Sequence, residues 1–378
     1  MVPVVNNECD VLVVGAGVLG LGHALAALEQ GQRVIVLERE HRIVGASVRN
    51  FGHVGATVQS GELRDLALGA RQRWLSVADA AGIEARREGA GLAVARRTDE
   101  LEVLTELAGS RDSVRLLTPA QVVDRLGGAG ADDIVGGADL GDDLRVDPRT
   151  TVPRLAAWVD AQDGAEIRWN TAYLGAEPVG DGVRVRTSRG EIRARRVFVC
   201  VGHDLDRVAP TVAADAGVQR CGLSMMLTED PGFRVAPAVL TATSLLRYGA
   251  FADTAAAAVL RERLSAERPD LIAADTNIMF TQRPDGGLLI GDSHLLDDSL
   301  DPFLDEAVFD LLHREVETVL GRRLAIRQRW QGIYAARPDG PYLVAELAPG
   351  VTACSVTTGV GMTVGLELAA RTVAAVPA

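Results

Sequence analysis

Apolar positions near the start of the chain come in short unbroken runs. Val11, Leu12, Val13 and Val14 form one such run, the pattern of a strand covered on both faces in a parallel sheet. Gly15-Ala16-Gly17-Val18-Leu19-Gly20 follows, and then a stretch with small residues at Ala24 and Ala27 that reads as a helix ended by Gly31. Arg33 to Leu37 repeats the strand pattern and stops at Glu38. Val11 to Leu28 is long enough to suggest a membrane span, but it holds four glycines and His23, so strand, turn and helix describe it better. Further on, Gly182 to Thr187 and Glu191 to Ala194 read as a hairpin leading into the buried run Val197 to Val201. Leu223 to Leu227, Asn277 to Gln282 and Leu288 to Ile290 read as strands, the last two flanking the turn Pro284-Asp285-Gly286-Gly287, while Ala255 to Ala258 fits a helix.

The first unit has the chemistry of a dinucleotide site. Gly15 permits the tight turn, Gly17 lets backbone approach a pyrophosphate, and Gly20 lets helix and strand pack closely. The helix N-terminus offers unpaired N–H groups and partial positive charge to phosphates. Glu38, 18 residues past Gly20, is spaced to accept hydrogen bonds from the adenosine ribose, which disfavours a 2′-phosphate and hence NADP. This unit alone does not separate NAD from FAD.

Composition narrows the classes. At 378 residues two lobes are expected, and no linker divides them. A net charge of −12 argues against nucleic acid and against an anionic membrane surface. All 39 basic residues are arginine, so no lysine Schiff base can form, and any fixed cation is arginine or protonated histidine. Cys9, Cys200, Cys221 and Cys354 are scattered, and His41, His203, His294 and His313 show no ligand-like spacing, so no metal is expected. Reduced cysteines, and a start MVPVVNNECD without the charge and apolar stretch of a signal peptide, lead us to expect a cytoplasmic protein.

Gly45-Ala46-Ser47-Val48-Arg49-Asn50-Phe51-Gly52-His53 resembles the GxS segment of the D-amino-acid oxidase, glycine oxidase and sarcosine oxidase superfamily. In the same order come Arg145-Val146-Asp147-Pro148-Arg149 with Gly164-Ala165-Glu166-Ile167, the strand ending at Gly202, and Arg337-Pro338-Asp339-Gly340-Pro341. Thr358-Gly359-Val360-Gly361-Met362-Thr363 completes the series, which covers almost the whole chain. The resemblance implies an α/β protein with an α+β second lobe: a Rossmann-like FAD-binding domain (1–82, 145–221 and 326–378) interleaved with a mixed-sheet substrate-binding domain (83–144 and 222–325). It implies FAD contacts from Gly15, Gly17, Val18, Leu19, Gly20, Glu38 and Arg39, and from Ala46, Ser47, Gly52 and His53. Tyr173, where the family usually has valine, is assigned to the adenine, and Gly202, Gly359, Val360, Gly361, Met362 and Thr363 to the remaining contacts.

By the same resemblance, the activity is oxidation of a C–N bond in a small anionic primary or secondary amine, with O2 or another electron acceptor; an oxidase is favoured over a dehydrogenase. Arg337, before the proline, is expected to read the substrate anion, with Tyr334, His53 and Arg49 as further substrate contacts. Hydride transfer to FAD needs no strong base, so no catalytic acid or base is nominated. Aligning Tyr334 with the C-terminal tyrosine of sarcosine oxidases puts Gly332 where those enzymes have the flavin-linked cysteine, so FAD is expected to be non-covalent. The string Ser47 to Gly52 resembles a bacterial subgroup found in organophosphonate metabolism, which implies (N-methyl-)2-aminoethylphosphonate as substrate. Glycine, sarcosine or a D-amino acid is the alternative, and an FAD-binding electron-transfer subunit without its own substrate is the alternative of another class.

Overall fold

The computed structural model describes residues 7–376. The strand Glu8–Val14 (β1) and the helix Val18–Glu29 (α1) meet at the glycine turn, and Val34–Leu37 (β2) lies parallel to β1. β1 is covered on both faces, as its unbroken apolar run implied. Val11 and Val13 pack into a core with α1, Trp74 and the helix Gly361–Ala375, while Leu12 and Val14 enter a second core with Ile35, Val185 and Ala353.

This eight-stranded sheet runs Tyr173–Val179, Gly182–Thr187, Gly190–Val199, β1, β2, Ala165–Arg168, with Val351–Val356 and Tyr342–Ala348 joined through Gly190–Val199. Gly190–Val199 serves two neighbours on one edge. Its first half closes the antiparallel hairpin, and Val197, Phe198 and Val199 then pair in parallel with Val351, Thr352 and Ala353.

A second, nine-stranded mixed sheet has the order Leu295–Asp297, Gln219–Thr228, Leu288–Gly291, Met279–Gln282, Ala238–Thr241, Gly91–Ala95, Gly136–Leu140, Val114–Leu117. Ile326–Ala336 joins it along the length of Gln219–Thr228, from Gln219 opposite Ala336 to Thr228 opposite Ile326. Residues 326–336 and 219–221, expected in the first lobe, therefore hydrogen-bond in the second sheet. The reason is a long-range antiparallel ladder that neither strand advertises by itself. Among the described residues no helix is long and apolar enough to cross a membrane.

A three-stranded sheet of His53–Val54, Leu144–Val146 and Ala85–Arg86 ties the crossing segments together. Gly52 sets its approach. Its φ is +71°, Val146 N donates to its carbonyl oxygen at 2.9 Å, and a Cβ there would collide with the Val146 oxygen. Thr281 Oγ1 donates to Phe51 O at 2.8 Å, fastening the same loop to the second sheet. Gly52→Ala is expected to lower the unfolding free energy by about 1–3 kcal/mol, from left-handed strain together with the collision. Urea denaturation of the cofactor-free protein measures this, and an unchanged midpoint would contradict the account.

Candidate active site

An elongated cavity of about 640 Å³ runs from the glycine turn to the second sheet. At its first end, Gly15, Gly17, Val18 and Leu19 line the wall where α1 begins. Ser47 Oγ accepts the Val18 N–H at 3.0 Å, so the serine hydroxyl and the first N–H groups of α1 share one spot. Anions are stabilised at such a spot by the free amides and the helix dipole. Gly20 does not line the cavity; a Cβ there would collide with the Gly15 carbonyl oxygen, so it acts by letting the turn close under α1. Gly52, assigned by resemblance to the cofactor contacts, also lies outside the lining, because it is packed against Val146.

The Glu38 carboxylate lines the cavity and accepts from Ala16 N and Glu40 N, each at 3.0 Å. A carboxylate has about four acceptor positions, so two remain for ligand hydroxyls. Arg39 Nη2 is paired with Asp204 Oδ2 at 2.6 Å, which holds its guanidinium at the rim beside Gly202. Tyr173 also lines this end, and burial raises its phenol above the ordinary range.

Further along, the cavity is lined by Ala46, Ser47, Arg49 and His53 and by Gly359, Val360, Gly361, Met362 and Thr363. Gly359 and Val360 lead into the helix Gly361–Ala375, which Gly361, Met362 and Thr363 open and which lacks a side-chain cap at its N-terminus. Trp74 Nε1 donates to Met362 O at 2.8 Å and Gly55 N to Thr363 Oγ1 at 3.2 Å, so the helix start is pinned from behind. His53 Nε2 lies 2.7 Å from Oδ2 of the fully buried Asp143, whose Oδ1 accepts from Thr57 N at 2.8 Å. Arg49 Nη1 donates to Gln331 O at 3.1 Å, which ties the loop to the second sheet.

The far end is built by residues that periodicity did not single out. Arg247 lines it, donating through Nη2 to Tyr334 Oη at 3.2 Å and facing Asp275 at 3.4 Å, an acid whose side chain is 64% exposed. Burial pulls the guanidinium down, but Tyr334, Asp292 and Asp275 together hold it above its usual value. Burial likewise pushes Tyr334 well up and Tyr248 to about 12, so both remain phenols. Asp292 is pushed up to about 7, by burial acting against Arg247 and Asn277, and His294 is driven down to about 3 by burial and by Arg247. Asn277 Nδ2 donates to Asp292 Oδ1 at 2.9 Å, while Asn277 Oδ1 is buried without a donor among the described residues. An unmatched buried acceptor costs about 1–3 kcal/mol unless a ligand supplies the donor.

Tyr334 lines the cavity as expected from its position, but Arg337 does not. One residue past the end of Ile326–Ala336, in the turn that follows, it lies outside the lining and donates through Nε to Gly340 O at 3.3 Å. The cavity's far-end arginine is Arg247 instead. One signal for it existed: Arg247 is the sole charged residue between Arg234 and Asp253. Asp292 ends the apolar run Leu288 to Gly291 in the same way. The scattered cysteines also partly converge. Cys200 and Cys354 are buried beside His23, the three ligand atoms lying within 4.8 Å of one another, and His23 Nδ1 is 2.8 Å from Leu19 O. No cysteine is present at Gly332, which does line the cavity.

Residues 10–375 match the family described as FAD dependent oxidoreductase. Over 238 residues the chain is 26% identical to an opine oxidase polypeptide of Agrobacterium tumefaciens (strain Ach5), which covers 59% of this chain; the chain spans 64% of that relative's length. Glycine oxidase from Geobacillus kaustophilus shares the fold with a TM-score of 0.76 and 18% identity, over 98% of this chain and 94% of that one. For L-amino acid deaminase from Proteus vulgaris the TM-score is 0.76 and the identity 17%, over 98% and 93%. Residues at each stage of the cavity fit a dinucleotide: free acceptors at Glu38, a serine and a helix start at the turn, and a second uncapped helix start beyond. Glu38→Ala is expected to weaken binding of FAD to the cofactor-free protein by about 1–3 kcal/mol, with Glu38→Gln intermediate because one acceptor survives. Fluorescence titration reads this directly, and an alanine variant that binds as tightly as the parent would remove Glu38 from the site.

Proposed function

The chain belongs to the FAD dependent oxidoreductase family, and we propose that it oxidises a C–N bond in a small anionic amine whose negative end is held by Arg247. Bound FAD supplies the acceptor for the hydride leaving the substrate carbon; orientation, desolvation and charge come from the chain. The observation that carries this reading is a partly buried guanidinium in the cavity wall whose nearest acid, Asp275, is mostly exposed and 3.4 Å away. The contacts from Nη1 to Asp275 are long, and with Nη2 on Tyr334 they leave further N–H donors of Arg247 for a carboxylate or phosphonate. Tyr334, bonded to Arg247, fixes the fork from one side. Met225, Met279 and Phe51 line the same end, and their apolar side chains strengthen the charged contacts there. Orienting hydrogen bonds of this kind would hold the substrate in one alignment for reaction with the bound cofactor.

The narrower reading, an aminophosphonate such as 2-aminoethylphosphonate or its N-methyl form, rests on the string Ser47 to Gly52 and on the absence of lysine, which leaves arginine to meet a dianion. Bleaching of the flavin absorbance by glycine, sarcosine, D-alanine, 2-aminoethylphosphonate and N-methyl-2-aminoethylphosphonate tests the class and ranks its members. No bleaching by any of them would favour an electron-transfer subunit. Peroxide formation in air, compared with dye reduction under nitrogen, separates oxidase from dehydrogenase.

Two outcomes are expected of variants and of the cofactor link. Arg247→Leu should retain FAD and lose about 10²-fold or more in kcat/KM on the best anionic amine, since hydrogen bonds to charged groups contribute about 1.5–3 kcal/mol and misalignment adds to that. Arg247→Lys should recover part of the loss, and Arg337→Leu should stay near the parent. Equal kinetics for Arg247→Leu and the parent would place the anion elsewhere. Acid precipitation should release the flavin to the supernatant, because Gly332 offers no thiol to link it; a yellow pellet would show a covalent bond.

A further inference from the structure

We propose that Asp292 and Asn277 form the ammonium-binding subsite of this cavity, and that Asp292 takes the proton the substrate nitrogen must lose before its neighbouring C–H can react. The inference rests on the anionic-amine reading above and names the groups that meet the other end of the substrate.

Asp292 follows the strand Leu288–Gly291, lines the cavity and is 6% exposed. Asn277 faces it across the sheet. The two residues exchange backbone hydrogen bonds, Asn277 N to Asp292 O at 2.7 Å and Asp292 N to Asn277 O at 2.8 Å, so their side chains are held in register. The Asn277 amide spends an N–H on Asp292 Oδ1 at 2.9 Å. Among the described residues two acceptors are then left over: Asn277 Oδ1, buried with no donor, and Asp292 Oδ2, whose nearest basic atom is His294 Nε2 at 3.8 Å, beyond a hydrogen bond.

His294 does not neutralise this pair. Its Nδ1 bonds to Asp275 O at 2.8 Å, which makes Nδ1 the protonated nitrogen and leaves a lone pair on Nε2; burial and Arg247 keep the ring uncharged. Tyr248 and Tyr334 remain phenols, and Tyr248 Oη lies 3.5 Å from Asn277 Nδ2. Asp275 stands on the solvent side of Arg247. Among the described residues facing Asp292, Arg247 is the only fixed cation, and it is already assigned to the substrate anion. A primary or secondary ammonium brings the missing complement, a positive charge with two or three N–H donors. A ligand that is anionic at both ends does not.

The proton step balances within the site. One N–H bond of the ammonium breaks, an O–H bond forms at Asp292 Oδ2, and the electron pair stays on nitrogen; carboxylate and ammonium both become neutral. Burial, opposed by Arg247 and Asn277, places Asp292 at about 7, so the carboxylate takes this proton near neutrality and loses that capacity in acid.

The test uses the FAD-loaded full chain and flavin absorbance titrations with matched ligands: glycine against acetate, and 2-aminoethylphosphonate against ethylphosphonate. Asp292→Asn should weaken the amine of whichever pair binds by about 10-fold or more and its deaminated partner by less than about 2-fold, because only the amine loses a charged hydrogen bond. Asn277→Leu should move the amine in the same direction. In the parent, kcat/KM should fall as pH drops through about 7, and this limb should vanish in Asp292→Asn. Should Asp292→Asn lose its flavin, the parent's amine and acetate titrations between pH 6 and 9 still decide, since only the amine should weaken in acid. If the parent discriminates amine from deaminated partner and Asp292→Asn does so equally, the subsite is elsewhere while the anionic-amine reading stands. If the parent responds to no amine, both fall together.

Discussion

The carbonyl oxygen of Gly15 occupies the space that a side chain on Gly20 would need, and the architecture of the cavity follows from that close approach. It lets α1 begin immediately after β1, with its first N–H groups at the mouth of the site and Ser47 Oγ on Val18 N. It also brings α1 down onto the sheet, so that the helix Gly361–Ala375 can share its core and present a second N-terminus to the same space. Two helix starts converging on one cavity supply positive potential without a single lysine in the chain.

Past that polar corridor the cavity changes character. Arg247, Asp292, His294 and Tyr334 share one end of it with Met225, Met279 and Phe51, whose apolar side chains lower the local dielectric and strengthen each charge. One guanidinium shapes the whole group. It opposes the burial that lifts Asp292, adds to the burial that depresses His294, and bonds the phenol of Tyr334. A removal of Arg247 therefore touches the protonation of its neighbours as well as the anion contact, and double-mutant cycles are needed to apportion the two.

The ladder between Gln219–Thr228 and Ile326–Ala336 explains how so mixed a site is held rigid. It carries Leu223 and Met225 on one strand and Gly332 and Tyr334 on the other into the cavity wall. Arg49 and Trp330 close the loop onto it through hydrogen bonds of 3.1 and 3.2 Å, so the segment at residues 45–53 is fastened to the second sheet.

What the sequence determined by itself is local. An unbroken apolar run, three spaced glycines and an acid after the second strand are properties of one short stretch, and their consequences stay within it: the turn at Gly15, the helix start at Val18 and the carboxylate of Glu38 all lie where the spacing puts them. Residues 358–363 belong to the same class, a glycine-rich run before a helix. The far end of the cavity is not local. Arg247, Asn277, Asp292 and Tyr334 come from four separate segments with no shared periodicity, and only sheet pairing and burial bring them together and set their charge. Arg337 shows the converse. Its neighbours in sequence mark a turn, but where that turn sits relative to the cavity depends on a ladder with a strand about a hundred residues away, and here Tyr334 lines the cavity while the half-buried Arg337 lies outside it and bonds to Gly340 O.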